Sequence, residues 1–383
     1  MYEQYLKYDS IPAGAVLQRI LKKEHISQKQ LSDLTGIITQ RINDLVKGKR
    51  VLFITTRNID YIRNSQEKKL LEKNAESVEF IYSTKHSYPL RLLDIYGNIV
   101  YEKVKGLFHK GKIYDCNIVF IGFAPQLVLP VFKSFFHEKK IIIDFFISVY
   151  DTMICDRQKF RDGGVIAKIC KFFDEITLRF SDYVITDTKA QADFFIKELG
   201  AVSEKIETIY LEADEKIYYP RTQVKSDELK DKFVVLYFGS ILPLQGVDVV
   251  LETIRKLKGR DDIFFDIIGP IPQSLQKPIQ SNVRYTDWLS QEELAERIAS
   301  ADLCLAGHFN GSIAKADRTI PGKAYIYEAM KKKMILGNSS ANRELFREDA
   351  MHSFVTMGDS DEMCRLLPEY INKNEREQSK IAY

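Results

Sequence analysis

Cysteine is scarce and placed for no structural task. The five are Cys116, Cys155, Cys170, Cys304 and Cys364, an odd number with no CxxC pair and no histidine partner at metal-ligand spacing. That argues against a disulfide framework and a zinc site, and fits a reducing compartment. Long apolar runs are also missing: the longest, in 117–123 and 141–149, reach about ten residues, where a membrane-spanning helix needs about 20. The first ten residues are polar and aromatic and have no apolar core of the kind a secretory signal carries. The expectation is a soluble cytoplasmic chain that could still touch the inner face of the cell membrane. There is no large charge excess either, since 56 Lys+Arg against 53 Asp+Glu leave +3. A general polyanion binder coated in positive charge is excluded, while a local basic face stays open. No internal repeat and no low-complexity tract occurs.

What is present is globular: 383 residues, 45% apolar and 28% charged, a length for two or three domains. Residues 1–50 read as helical. From residue 51 the texture turns to short Val/Ile/Phe runs, at 51–56, 78–82, 117–122, 140–147, 183–187, 206–211, 233–238, 263–268, 302–306 and 333–337, separated by helical stretches. Apolar runs without alternation suit parallel strands buried on both faces, and strands alternating with helices imply βαβ units. A polar, proline-containing break at 215–231 separates one such set from the next. The fold class is therefore α/β. Two Rossmann-like domains, 51–220 and 221–383, are expected behind a small all-α segment, 1–50, with a ligand cleft between facing strand ends.

Within the first segment, Ser27 can cap a short helix with Leu31 and Leu34 inward, and Gly36 marks a sharp turn. Thr39 then caps a second helix with Ile42, Leu45 and Val46 inward, ended by Gly48. This resembles the helix-turn-helix of bacterial repressor-like proteins and antitoxins. Such a module would direct Gln40, Arg41 and Asn43 to base edges, and Lys47, Lys49 and Arg50 to phosphates. The other reading is a helical cap packed on the next domain.

Phe233-Val-Val-Leu-Tyr-Phe-Gly-Ser-Ile-Leu-Pro-Leu-Gln-Gly246 is a strand running into a glycine loop and a helix start, where backbone N–H groups can hold phosphate. It is followed by Phe264-Phe-Asp-Ile-Ile-Gly269, by Ala301-Asp-Leu-Cys-Leu-Ala306, and by Ile320-Pro-Gly-Lys-Ala-Tyr-Ile-Tyr-Glu-Ala-Met330. Together these segments resemble the donor half of retaining glycosyltransferases of the GT-B fold, family four, a resemblance that extends over 50–383. It implies a nucleotide-sugar co-substrate and no cofactor or metal; no DxD motif is convincingly placed. By the resemblance, Glu328 matches the glutamate that binds the ribose. Gly239, Ser240 and Asn342 line the donor side, and Lys315, Arg318 and Lys323 offset the diphosphate. The chain departs from the family at Ile320, Ser240 and Gln245, where the pattern has glutamate, arginine and lysine.

On the acceptor side the resemblance points to Asp151, in Tyr150-Asp-Thr152, at the cleft mouth, where it accepts or orients the acceptor hydroxyl proton; Asp151 and Lys323 are the catalytic candidates. Asp151 could instead be a helix cap. Arg57 and Asn58 are expected to line the acceptor site, Asp144 to be buried and structural, and Asp187 to cap a helix. His308 could donate to a sugar hydroxyl or the leaving oxygen, or be structural. The leading reading is a transferase of surface polysaccharide assembly acting on a glycan or lipid-linked acceptor. Basic-aromatic stretches 132–140 and 168–179 are its candidate membrane contacts. The alternatives are a DNA-associated glycosyltransferase and a non-catalytic sugar-nucleotide sensor that binds DNA.

Overall fold

The computed structural model describes residues 40–381 apart from 158, 240 and 241, with side chains from 41 to 372. Strands β1 (Arg50–Ile54), β2 (Ser77–Ile81), β3 (Ile118–Ile121), β4 (Lys140–Asp144), β5 (Tyr183–Thr186) and β6 (Ile206–Thr208) form one parallel sheet in the order β2-β1-β3-β4-β5-β6. Strands β7 (Phe233–Phe238), β8 (Ile263–Ile268), β9 (Val283–Thr286), β10 (Leu303–Gly307), β11 (Met334–Gly337) and β12 (His352–Val355) form a second, ordered β12-β11-β10-β7-β8-β9. Continuous apolar runs make such strands because helices cover both faces. In β1, Val51 and Phe53 enter one core cluster and Leu52 and Ile54 the cluster on the opposite face. In β7, Phe233, Val235 and Tyr237 likewise part from Val234 and Leu236.

Ten of the twelve strands lie in the expected apolar runs. The other two, β9 and β12, are edge strands. Edge position explains their silence in the sequence: Val283-Arg-Tyr-Thr286 is half-buried throughout, and β12 begins His352-Ser353. The 215–231 segment follows the first sheet and carries Tyr218 and Leu229 into the core of the second.

Ten helices matter here: α1 (Gln40–Val46), α2 (Ile62–Asn74), α3 (Tyr88–Gly106), α4 (Val165–Phe180), α5 (Lys189–Leu199), α6 (Val247–Lys256), α7 (Gln291–Ser300), α8 (Ala314–Arg318), α9 (Gly322–Ala329) and α10 (Ser360–Ile381). Most of the helix-turn-helix expected in 1–50 lies outside the described residues, which begin with α1. That helix buries Ile42 and Val46 against Val51, Phe53 and Leu71 of the first domain, and Gly48 follows at φ +63°. Arg41 stacks over the Tyr183 ring, centroid 5.1 Å away, and Asn43 accepts a hydrogen bond from Asn74 Nδ2 at 3.0 Å. Two of the side chains expected to reach DNA are thus engaged by the α/β domain. Lys47 is exposed, and the Gln40 side chain is outside the described set.

Candidate active site

The C-terminal ends of both sheets face a common cleft, and the chemistry on the second sheet starts with glycine. Four adjacent strands, β11, β10, β7 and β8, end at or are followed by Gly337, Gly307, Gly239 and Gly269. Gly269 and Gly337 leave no room for a side chain, and Gly239, Gly269 and Gly307 hold a positive φ. A Cβ on Gly269 would overlap the Gly239 carbonyl oxygen, and one on Gly337 the His308 carbonyl oxygen. A Cβ on Gly239, itself at φ +152°, would stand 2.7 Å from Gln245 Oε1. The edge is therefore bare backbone, which a ligand can approach closely.

Cations converge on that edge. Lys323, in the first turn of α9, is buried; its ammonium donates to Gln245 Oε1 at 3.0 Å and lies 3.8 Å from the Tyr237 ring centroid. Tyr237 also donates to Gln245 Oε1, at 2.9 Å. Gln245, at the sequence position where the family pattern has lysine, accepts a hydrogen bond from the ammonium of Lys323. Burial drives the Lys323 pKa well below its usual value. His308 is buried beside it with Nδ1 unpartnered. Burial, with help from Lys323 and Lys315, lowers its pKa to about 3, so the ring is neutral.

Lys315 and Arg318, on the short α8, cross to the first domain. Arg318 donates to Asp151 Oδ1 at 2.6 Å, Lys315 donates to Thr152 Oγ1 at 2.9 Å, and its ammonium lies 4.0 Å from Asp151 Oδ2. Asp151 opens a π-helical turn, Asp151–Asp156, and is fully buried rather than open at the cleft mouth. Its Oδ2 has no hydrogen-bond partner, nor has Oδ1 of Asp156, whose pKa burial raises. The sequence marked all three charges but not that they meet across the domains, because 167 residues separate Asp151 from Arg318.

Glu344, which the sequence did not single out, makes a second bridge. Its carboxylate accepts from the backbone N–H groups of Lys189 and Ala190 at 2.8 Å each, and from the Tyr210 hydroxyl at 2.8 Å. A carboxylate from the second domain thereby caps α5 of the first. The neighbouring Asn342 does not face the cleft. It is fully buried and donates to the carbonyls of Gly337 and Gly307, bracing the glycine edge from behind.

Glu328 also stands apart. Its carboxylate meets His352 Nε2 at 3.0 Å and Lys331 Nζ at 3.2 Å. His352 begins β12, so this pair sits at the N-terminal ends of the strands, opposite the glycine edge. The cause is helical geometry: five residues at ~1.5 Å each carry the chain ~7 Å down α9 from Lys323. Ser240 lies outside the described residues.

On the first sheet, Arg63 of α2 clasps Asp144 through Nε and Nη2 at 2.9 and 3.0 Å and donates to the Ile209 carbonyl at 2.6 Å. Asp144 is buried and structural, as expected. Asp187 caps nothing, because Thr188 is the residue that accepts from Gln191 N. Burial pushes the Asp187 carboxyl up to about 7, against the pull of Arg63. Arg57 is exposed at the rim with its guanidinium 4.8 Å from the Tyr61 ring centroid and 5.2 Å from that of Phe123. Asn58 beside it is exposed, and its carbonyl accepts from Asn64.

No family model matches the chain. A curated relative, the chitobiosyldiphosphodolichol beta-mannosyltransferase of Debaryomyces hansenii, is 25% identical over 214 residues, 49% of this chain. Those residues span 45% of that relative's length. Among solved structures, sucrose-phosphate synthase of Thermosynechococcus elongatus superposes with a TM-score of 0.60 at 11% identity, over 85% of this chain and 90% of its own. HepE of Anabaena, in complex with UDP and glucose, gives 0.54 at 14% over 85% and 91%. An alpha-glucosyltransferase in complex with UDP and a 13-mer DNA gives 0.53 at 12% over 84% and 90%. The structural neighbours are glycosyltransferases, and the two six-stranded parallel α/β domains of this chain have their GT-B fold.

Proposed function

We propose that the protein is a glycosyltransferase that takes a sugar from a nucleotide-diphosphate sugar. The reading includes retention of configuration, no metal, and a glycan or lipid-linked acceptor of surface polysaccharide assembly. The observation that carries it is the meeting of a side-chain-free glycine edge with the Lys323, Lys315 and Arg318 cations across from a buried carboxylate. Bare backbone lets a diphosphate come close, and the three cations offset its charge in a site that excludes water. HepE is described with UDP and glucose, and the curated relative by its name acts on a chitobiose carried by dolichol diphosphate. The first fits the donor of this reading and the second its lipid-linked acceptor.

In the proposed reaction the bond between the anomeric carbon and the diphosphate oxygen breaks, and a bond to the acceptor oxygen forms on the same face. The acceptor proton leaves toward the diphosphate oxygen. Lys323, whose pKa burial holds well below the usual value, would offset the charge of the leaving diphosphate. Arg318 and Lys315 then share their charge between Asp151 and the phosphates, and the unpartnered Asp151 Oδ2 is the atom placed to orient the acceptor hydroxyl. Neutral His308 offers Nδ1 to a sugar hydroxyl.

Calorimetric titration with UDP, GDP, ADP and dTDP tests the reading. One nucleotide should bind, and Lys323→Met should weaken it about 10- to 150-fold, the worth of a charge-assisted hydrogen bond. Retention and metal independence are read from the product's anomeric proton and from turnover in EDTA. Binding of no nucleotide, or equal affinity in Lys323→Met, would remove the proposed donor site.

A further inference from the structure

Asp151 and Asp156 lie five residues apart on the π-helical turn, in which Arg157 N donates to the Thr152 carbonyl at 3.0 Å. In an α-helix, residues five apart point about 140° away from each other. A turn closed by i→i+5 hydrogen bonds brings them round to the same side. That side carries Asp151, Thr152 and Asp156 and packs against α8 of the second domain, where Lys315 donates to Thr152 Oγ1 at 2.9 Å. Asp151 is fully buried and Asp156 is 5% exposed. Each keeps one carboxylate oxygen without a hydrogen-bond partner, Oδ2 of Asp151 and Oδ1 of Asp156. Two further unpartnered atoms come from the second domain, His308 Nδ1 and Arg318 Nε. Lys315 lies among these groups. Burial raises the Asp156 pKa, the Lys315 ammonium pulls it back, and the Asp151 charge raises it again. The buried His308 ring feels the same ammonium after that of Lys323.

A buried polar atom without a partner opposes folding, and native chains keep few of them except where function supplies the partner. Four such atoms around one lysine, from both sides of the cleft, mark a place built for a polar ligand. Charge decides its chemistry. The two carboxylates already face two cations, Lys315 and Arg318, so neutral donors satisfy the free oxygens without adding charge. Cys155, on the same turn, keeps its proton, because burial and the Asp151 charge push its thiol up to about 11. We propose that Asp156 is an acceptor-binding residue. With Asp151 it seats two adjacent hydroxyls of a neutral sugar, Asp151 taking the attacking hydroxyl and Asp156 its neighbour. The assignment rests on the transferase reading and names the acceptor class within it, a sugar with a vicinal diol at the point of attack. As the diphosphate draws Arg318 and Lys315 toward the donor side, the hydroxyls replace them as partners of the carboxylates. In residue order Asp156 stands beside the exposed Arg157 and reads as a surface pair; the π-turn carries it inward.

The nucleotide sugar selected by the titration above is incubated with the methyl α-glycosides of glucose, mannose and galactose and with their monodeoxy analogues, and nucleotide release is followed. At least one glycoside should speed release over water alone. Removing the hydroxyl next to the glycosylated one should raise its KM about 10- to 150-fold, the worth of a hydrogen bond to a charged group. In Asp156→Ala that penalty should vanish, because the group that reads the missing hydroxyl is gone. Asp156→Asn keeps an oxygen in place and should retain about 2- to 10-fold of it, the worth of a neutral hydrogen bond. Structural damage alone would weaken glycoside and deoxy analogue alike and leave their ratio at the wild-type value. An undiminished penalty in whichever of the two variants folds therefore overturns the proposal. So does nucleotide binding with no glycoside speeding release, and both results leave the transferase reading standing. Binding of no nucleotide removes that reading, and this assignment with it.

Discussion

The two sheets have the same strand count and direction, and their facing edges are built from opposite materials. At the second sheet, four glycines leave backbone bare and cations stand in their own domain without a carboxylate to neutralise them. At the first, the strand ends carry Asp144 and Asp187, and Arg63 is spent on Asp144. One edge is a closed internal pair; the other lacks an anion. The first domain supplies one at Asp151, which binds Arg318 across the cleft. A donor diphosphate would therefore meet a site whose positive charge is already partly shared, and would have to compete with Asp151 for Arg318.

Substitutions can break this comparison. The largest effect is expected at the closed edge. Asp144→Ala removes the nearest partner of the buried Arg63, leaving it Glu67 at 3.7 Å and the Ile209 carbonyl, and should cost about 3–5 kcal/mol in denaturant unfolding, with nucleotide affinity unchanged if the chain folds. Lys323→Met is its opposite: affinity falls while thermal stability holds or rises, since a buried lysine with a lowered pKa opposes folding. If both variants lost stability alike, the two edges would not differ as argued. Next comes Gly269→Ala, which must relieve both a positive φ and the overlap with Gly239, at about 1–3 kcal/mol in thermal unfolding together with weaker nucleotide binding.

The next expected effect concerns pH. Asp187 titrates near about 7 in the fold against about 3.9 unfolded, so its neutral form is the one that the fold accepts. Its contribution to stability is complete below about 3.9 and is lost as pH rises to about 7, on the order of 1–3 kcal/mol. Asp187→Asn should flatten unfolding free energy against pH across that window; an unchanged slope would mean that the carboxyl is not desolvated. The smallest effect belongs to Glu328→Ala. It removes a half-buried pair with His352 and Lys331 and should cost about 1 kcal/mol or less, with no change in nucleotide affinity. A large loss of affinity would put the ribose at the wrong end of α9 for this structure.

Much of this was legible in residue order. Val51-Leu-Phe-Ile54 and Phe233–Phe238 announce buried parallel strands because no polar residue interrupts them, and the family resemblance singles out Gly239, Lys315, Arg318, Lys323 and Asp151. Glu328 was misplaced for a simple reason. A residue type can be matched in a string, but the end of a helix on which it falls decides which end of the sheet it meets. Glu344 gave no signal, because a carboxylate in a short helical turn looks like surface until α5 is placed beside it. The basic-aromatic stretch 132–140 misled in the reverse way, since Phe132 and Phe136 fill the core and Lys133 and Lys139 end on carbonyls.

The sequence by itself determined the strands, the parallel α/β class and the glycine-rich edge. All of these follow from local constraints: apolar runs that need cover on both sides, and backbone positions that only glycine can occupy. Tertiary structure alone decided which charges meet. The Asp151–Arg318 pair, the Glu344 cap and the turning of Lys323 onto Gln245 join residues far apart in the chain. Electrostatic partnership depends on distance and burial in space, which residue order does not encode.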